Sequence, residues 1–101
     1  MILDKEKLIS QLSFEGYTDI KVCPLPPSTE TPEHTHEQYT VHIVLEGELI
    51  ITWEGKTTIF GPEDRVEFKA GTTHKAKSKS GGSMITGIKE ENSSPDLYTK
   101  L

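Results

Sequence analysis

The sequence predicts an all-β domain, either a sandwich or a barrel of short strands, with one short helix at the N-terminus. Two observations support this prediction. From residue 20 to residue 89, short extended segments recur at regular spacing, and glycine-containing turns such as Glu54-Gly55 and Gly81-Gly82 separate them. Residues 1–16 differ, because their apolar side chains recur at the spacing of a helix.

The N-terminal helix is predicted from Asp4 to about Leu12. Asp4 can cap this helix, because its carboxylate accepts hydrogen bonds from backbone N–H groups of the first turn. Leu8, Ile9 and Leu12 fall on one stripe, and Gly16 stands where a helix often ends. The helix therefore offers one apolar stripe for burial against the strands.

Seven strands are predicted to follow the helix. They comprise residues 20–23, 38–45, 49–53, 57–60, 65–68, 74–80 and 83–89. Four prolines between residues 24 and 32 predict a loop that takes little part in the sheet ladders. The turn Glu46-Gly47-Glu48 is interpreted as a hairpin connection. Residues 90–101, which include Asn92-Ser93-Ser94-Pro95, predict a mobile C-terminal tail.

Length and composition predict a single domain over residues 1–101. A barrel of 101 residues buries so little of the surface of its unfolded chain that its stability is marginal. A covering helix or a second subunit would add stability. The formal net charge of −5 argues against a nucleic-acid partner. No apolar run approaches a membrane span, no signal-peptide core is visible, and Cys23 is the only cysteine. We therefore expect a soluble, cytoplasmic protein.

The four histidines are arranged in a pattern typical of a metal site. His34 and His36 form a His-Thr-His pair, His42 follows six residues later, and His74 opens a later strand. Alternate residues of a strand point to one face, so positions 34, 36, 40 and 42 share a face if the segment is extended. Neutral imidazole binds Zn, Fe, Ni and Cu. Histidine pairs also occur on solvated surfaces, and it is the distant His74 that favours the metal site.

The segment around these histidines resembles the cupin superfamily. The family's first motif is His-x-His, three or four residues, Glu, six residues and Gly, and here His34-Thr-His36 is followed by Thr40 and Gly47 at that spacing. The second motif, Gly-Asp followed by Pro-x-Gly-x-x-His, is similar to residues 63–74, which end in Gly71-Thr-Thr-His74. Glu63 and Lys69 replace the usual Gly and Pro. The resemblance covers about residues 30–89, and it implies a double-stranded β-helix, the cupin or jelly-roll barrel.

The resemblance also implies a metal-ligand set. Its motifs give His34, His36 and His74 as ligands of a divalent ion such as Fe, Ni, Zn, Mn or Cu. The family's fourth ligand, a glutamate, falls at Thr40, which is a weak neutral ligand. His42 lies two residues further on the same face and is the candidate replacement, with a hydrogen-bonding role around the ligands or a place in the core as alternatives.

The strand predicted at residues 38–45, here called the ligand strand, is expected to have a covered outer face. If Thr40 and His42 face the interior, then Val41, Ile43 and Leu45 form an apolar row on the outside. Monomers rarely expose such a row. Either the N-terminal helix or a twin subunit should cover it, and we predict a homodimer, as many cupins form.

Three classes of function fit the sequence. The first is a divalent-metal enzyme, dioxygenase- or isomerase-like, that acts on a small molecule and depends on its ion, since no separate acid or base is evident inside the barrel. The second is a small-molecule binding or sensing module without catalysis, with Trp53 or Phe60 near the barrel mouth. The third is a cupin that has lost its metal, with Thr40 and His42 marking the altered site. The fold alone does not choose among them.

Overall fold

The computed structural model describes residues 4–35 and 37–90, without the side chains of residue 29 and residues 31–34. These residues form one helix and eight strands. The elements are α1 Lys5–Phe14, β1 Thr18–Leu25, β2 Thr29–Thr35, β3 Tyr39–Gly47, β4 Leu49–Trp53, β5 Lys56–Phe60, β6 Arg65–Phe68, β7 Thr73–Ser78 and β8 Gly82–Lys89. The tail predicted for residues 90–101 lies outside the described residues from residue 91 onward.

The strands form two four-stranded antiparallel sheets. Sheet I has the order β1-β8-β3-β6, and sheet II has the order β2-β7-β4-β5. Apart from the β4–β5 hairpin, each strand is followed along the chain by a strand of the other sheet. This alternation between two facing sheets is the jelly-roll arrangement, so the predicted all-β class with one short N-terminal helix is confirmed. The two sheets are separate and do not close into a continuous barrel.

Helix α1 begins and ends for the reasons that the sequence suggested. The Lys7 backbone N–H donates to Asp4 Oδ1 at 3.1 Å, which satisfies one of the free N–H groups of the first turn. The helix ends at Phe14, and the Tyr17 N–H then donates to the Leu12 carbonyl at 3.0 Å. Gly16 takes the left-handed conformation, φ +102°, that this closure requires. No helix within residues 4–35 and 37–90 is long and apolar enough to cross a membrane.

The prediction of a loop throughout the proline-rich segment is wrong in part. Residues 29–35 form β2, which pairs with β7 at the edge of sheet II. The register shifts between Thr31 and His34, and Pro32 lies within that irregularity. An edge strand tolerates a proline at such a point because the missing N–H breaks no essential ladder bond. The segment that leads to the histidines is therefore held to the sheet.

The turn at Glu46-Gly47-Glu48 is not a hairpin. Strand β3 belongs to sheet I and β4 to sheet II, so this turn carries the chain from one sheet to the other. Gly47 has a positive φ of +79°, and a Cβ there would overlap the Gly81 carbonyl oxygen. The crossing passes so close to the β7–β8 connection that only glycine fits.

One apolar cluster lies on each side of sheet I. The outer cluster packs α1 on the sheet and consists of Leu12, Tyr17, Val41, Ile43 and Ile85. The inner cluster lies between the sheets and consists of Leu25, Val44, Leu49, Ile51 and Phe68. Val41 and Ile43 are buried in the outer cluster, and Leu45 is half-buried against it. The apolar row predicted on the outside of the ligand strand is thus covered by the helix.

Candidate functional site

Strand β3 presents its candidate site residues to the space between the sheets. Val44 is fully buried in the inner cluster, whereas Val41 and Ile43 belong to the outer one. Thr40 and His42 have the parity of Val44, and His42 lies against Phe68 of the inner cluster, with ring centroids 5.9 Å apart. The predicted alternation along this strand is confirmed, and it directs Thr40 and His42 inward.

A second imidazole reaches the same space from the opposite sheet. His74, on β7, is 2 % exposed. Its ring stacks on Phe68 with centroids 4.1 Å apart and an angle of 8° between the planes. The His42 ring lies 6.4 Å from the His74 ring, at 67° to it. Two of the four histidines are therefore brought together between the sheets, one from each sheet.

The other two histidines are only partly within the described residues. The Cα of His34 is the register partner of the Cα of His74 across the β2–β7 pair. The His34 side chain and the whole of His36 lie outside the described residues. Among the side chains that are described, no group of three histidine, cysteine or carboxylate residues is placed to hold a metal ion. The ligand roles assigned to His34 and His36 stay predictions.

The donors at this site suit a transition metal. Imidazole nitrogens prefer Zn, Fe, Ni and Cu over the hard cations Mg and Ca. Thr40 is 5 % exposed, and its hydroxyl has no hydrogen-bond partner among the described residues, so a bound ion or its water could satisfy it. Two imidazoles bound side by side to one ion have ring centroids roughly 5 Å apart, given metal–nitrogen bonds of about 2.1 Å. At 6.4 Å, His42 and His74 would need a small approach to share an ion.

The outer face of sheet I carries a polar cluster, here called the outer clasp. It consists of Glu15, Tyr17, Tyr39, Arg65 and Glu67. The hydroxyls of Tyr17 and Tyr39 donate to Glu67 Oε1 at 3.2 and 2.5 Å. Arg65 donates through Nε to Glu67 at 2.7 Å and through both terminal nitrogens to Glu15, at 2.5 and 3.2 Å. The clasp ties the C-terminal end of α1 to β3 and β6, directly behind Thr40 and Phe68.

The clasp changes the acidity of its members. The hydrogen bonds from Arg65 and then Gln11 lower the pKa of Glu15 from 4.5 to about 2. Burial and the nearby charge of Glu67 raise the pKa of Tyr17 to about 12. Partial burial acts to raise the pKa of Glu67, but the hydrogen bond from Tyr39 and the charge of Arg65 outweigh it and lower the pKa. The carboxylates of Glu15 and Glu67 are therefore ionised and hydrogen-bonded at neutral pH.

Sequence reasoning did not identify the outer clasp. Its signal was present, because Tyr39 and Glu67 have the parity of the outer face of their strands. The partners Glu15 and Arg65 are 50 residues apart in the sequence, and no local pattern joins them.

A small apolar hollow lies at the opposite end of the space between the sheets. Its volume is about 140 Å³, and its lining includes Leu25, Leu49, Ala76 and Met84 of the inner cluster or its margin. Phe60 packs against the same cluster, whereas Trp53, at the end of β4, is 45 % exposed. The hollow has room for a small group and is lined by residues other than the histidines.

Comparison with known proteins identifies the fold. The sequence profile of the family described as "Cupin domain" matches residues 21–86. No functionally curated protein matches the chain at a significant level.

Solved structures with the same fold include three bacterial proteins. A cupin superfamily protein from Desulfitobacterium hafniense is 21 % identical, with a TM-score of 0.66 over 71 % of this chain and 66 % of its own. DMSP lyase DddQ from Ruegeria pomeroyi is 20 % identical, with a TM-score of 0.65 over 75 % of this chain and 40 % of its own. A protein of unknown function from Rhizobium leguminosarum is 26 % identical, with a TM-score of 0.66 over 71 % of this chain and 69 % of its own.

These matches bear on the fold and on the extent of the chain. The chain spans less than two thirds of the length of the Desulfitobacterium and Ruegeria proteins. At 20 and 21 % identity, the likeness concerns the arrangement of strands and not the chemistry. The profile, however, covers more than half of the chain. The chain belongs to the cupin domain family.

Proposed function

We propose that this chain is a small metal-binding cupin, which holds a divalent ion with His34, His36 and His74 and acts on a small molecule. The observation that carries the proposal is the meeting of histidine positions from both sheets. His34 and His74 are register partners on β2 and β7, and the ring of His42 on β3 lies 6.4 Å from the ring of His74. His36 follows His34 by two residues, which is the period of a strand.

The chain's own residues would shape the chemistry around the ion. A bound Zn, Fe, Ni, Mn or Cu ion supplies Lewis acidity, or a site for water or dioxygen. Thr40 brings no charge, so the ion would keep most of its positive charge for the substrate. His42 stands beside the ligands as a fourth ligand or as a hydrogen-bond partner around them. Glu67 cannot serve as an internal base, because it lies in the outer clasp on the other face of sheet I.

The first experiment is metal analysis of the protein purified without a histidine tag. After incubation with Fe, Ni, Zn, Mn or Cu and removal of the excess, we expect about one ion per chain for one of these metals. His74→Ala should abolish this binding. His42→Ala should weaken it about 10-fold if His42 belongs to the ligands or to their immediate partners.

A matched control is available on the same strand. Lys75 follows His74 and is exposed, so Lys75→Ala should leave metal affinity unchanged. Wild-type protein that retains no metal, or His74→Ala protein that binds as the wild type does, would exclude the proposal.

A second function, small-molecule binding without catalysis, is favoured by the apolar hollow. That hollow of about 140 Å³ is lined by Leu25, Leu49 and Met84 and could hold a small apolar group. A thermal shift with a ligand but no turnover would support the binding module. Dioxygen consumption or isomerised product from a substrate screen of the metal-loaded protein would support the enzyme instead.

A further inference from the structure

We propose that Phe68 is a positioning residue that sets the plane of the His74 imidazole for metal binding. This role rests on the function proposed above. Phe68 is the last residue of β6 in sheet I, and His74 is the second residue of β7 in sheet II. The contact between them therefore spans the interior of the fold.

The rings of Phe68 and His74 stack face to face at a shorter centroid distance than most aromatic pairs have. The centroids of the two rings lie 4.1 Å apart, and their planes are 8° from parallel. Phe68 is 5 % exposed and His74 is 2 % exposed, so neither ring is free to swing into solvent. A flat ring pressed on the imidazole face opposes tilting of the imidazole about its Cβ–Cγ bond.

This restraint matters for a ligand because of where imidazole carries its lone pair. The lone pair of the unprotonated nitrogen lies in the ring plane, so the plane fixes the directions from which an ion can be approached. An aliphatic residue would fill the same volume without fixing that plane. The same Phe68 ring also meets His42 edge-on, at 5.9 Å and 65°, and thus lies against both imidazoles.

The strand that carries Phe68 is also held on the outer face of sheet I. Glu67, the residue before Phe68, faces outward into the clasp, where Tyr17, Tyr39 and Arg65 bind its carboxylate. Thr40 pairs with Phe68 across β3 and β6. This support is of the kind that holds metal ligands in productive orientations from outside the coordination sphere.

The test compares Co²⁺ binding in the wild type and three variants by titration and by the visible absorption of the bound ion. In Phe68→Leu, which keeps an apolar side chain but loses the flat face, we expect at least about 10-fold weaker affinity. We also expect the absorption bands to shift, since the ligand geometry changes. Leu49→Val is the matched control, because Leu49 lies in the same inner cluster but pairs with Phe60. It should bind Co²⁺ with wild-type affinity and an unchanged spectrum. Phe68→Tyr, which restores the ring, should bind as the wild type does.

The outcomes separate the two proposals. If the wild type binds no Co²⁺ or other divalent ion, the proposed function fails. If the wild type binds and Phe68→Leu gives the same affinity and spectrum, the positioning role is overturned while the function stands. A measurement on the unaltered metal-free protein covers the case in which Phe68→Leu does not fold. The ring current of a stacked Phe68 should move the His74 ring protons upfield in NMR spectra, and unshifted protons would overturn the inference.

Discussion

Thr40 combines a motif position with a buried hydroxyl that is unpartnered within the described part of the chain. It stands where the family's first motif has a metal-binding glutamate, and its hydroxyl is buried without a hydrogen-bond partner among the described residues. Such a hydroxyl costs about 1–3 kcal/mol of folding free energy. Under the proposed function, a bound ion or its water would satisfy this hydroxyl.

The cost of this hydroxyl can be measured by Thr40→Val, which replaces it with a methyl group of similar shape. We expect the metal-free protein to gain about 1 kcal/mol in free energy of unfolding by urea denaturation. Thr52→Val is the matched control, because the Thr52 hydroxyl shares a hydrogen bond of 2.9 Å with Thr57. The control should be neutral or destabilised. Equal destabilisation of both variants would mean that the Thr40 hydroxyl already has a partner.

At the scale of the element, α1 is the cover of sheet I. Leu12 is fully buried against Val41, Ile43 and Ile85 in the outer cluster. Phe14, two residues later on the same helix, is 88 % exposed. The clasp fixes the end of the helix through the ion pair between Glu15 and Arg65. Burial of the apolar stripe and the ion pair at the C-terminal end therefore hold the helix against sheet I.

Leu12→Ala should lower the free energy of unfolding by about 3 kcal/mol, since it removes buried atoms and leaves a cavity over the sheet. Phe14→Ala changes a larger side chain on the same helix and should stay within about 0.5 kcal/mol of the wild type. Chemical denaturation measures both. Similar losses in the two variants would mean that the helix does not cover the sheet as described.

The clasp also predicts a dependence of stability on pH. The folded-state pKa of Glu15 lies at about 2, below its ordinary 4.5, so its ion pair stabilises the fold above pH 4.5. That contribution is lost as the pH falls from 4.5 towards 2. Since both partners are about 30 % exposed, we expect about 1 kcal/mol at neutral pH.

Glu15→Gln tests this dependence. Its free energy of unfolding should lie about 1 kcal/mol below that of the wild type at pH 7, and the difference should shrink as the pH falls from 4.5 to 2 and vanish below pH 2. Glu46→Gln, at an exposed position of β3, serves as the control and should follow the wild-type curve. A gap that persists unchanged at pH 2 would assign the effect of Glu15 to something other than its charge.

At the scale of the whole molecule, the homodimer stays a prediction. The helix already covers Val41 and Ile43, so a partner would use other surfaces. Sedimentation velocity at micromolar concentration should show a species of twice the 11.3 kDa chain mass. Trp53, the single tryptophan, is 45 % exposed and provides a fluorescence signal during dilution. A monomer throughout the concentration series would refute the dimer.

The parts of the fold that the sequence predicted are those with local causes. Alternation along one strand placed Thr40 and His42 inward, and a capping residue placed the start of α1 at Asp4. The parts it missed depend on distant partners. Strand β2 exists because β7 pairs with it, despite Pro32. The turn at residues 46–48 has the residues of a hairpin, and only the partners of β3 and β4 show that it crosses between sheets.

The same limit applies to the candidate site. Motif spacing pointed to the histidines, and the structure brings His42 and His74 together. The stack between Phe68 and His74 had no counterpart in the sequence pattern, because the two residues belong to different sheets and neither sheet is local in sequence.

The strand order also governs how the chain can fold while it is being synthesised. Strand β8 lies between β1 and β3 in sheet I, and β1 has no other neighbour in that sheet. The ribosome delivers the chain from its N-terminus, so β1 waits unpaired until residues 82–89 have emerged from the exit tunnel. Closure of sheet I is therefore a late event that needs nearly all of the described chain. A nascent chain arrested before residue 82 would leave the edges of β1 and β3 that pair with β8 exposed. Such a chain would be a substrate for chaperones.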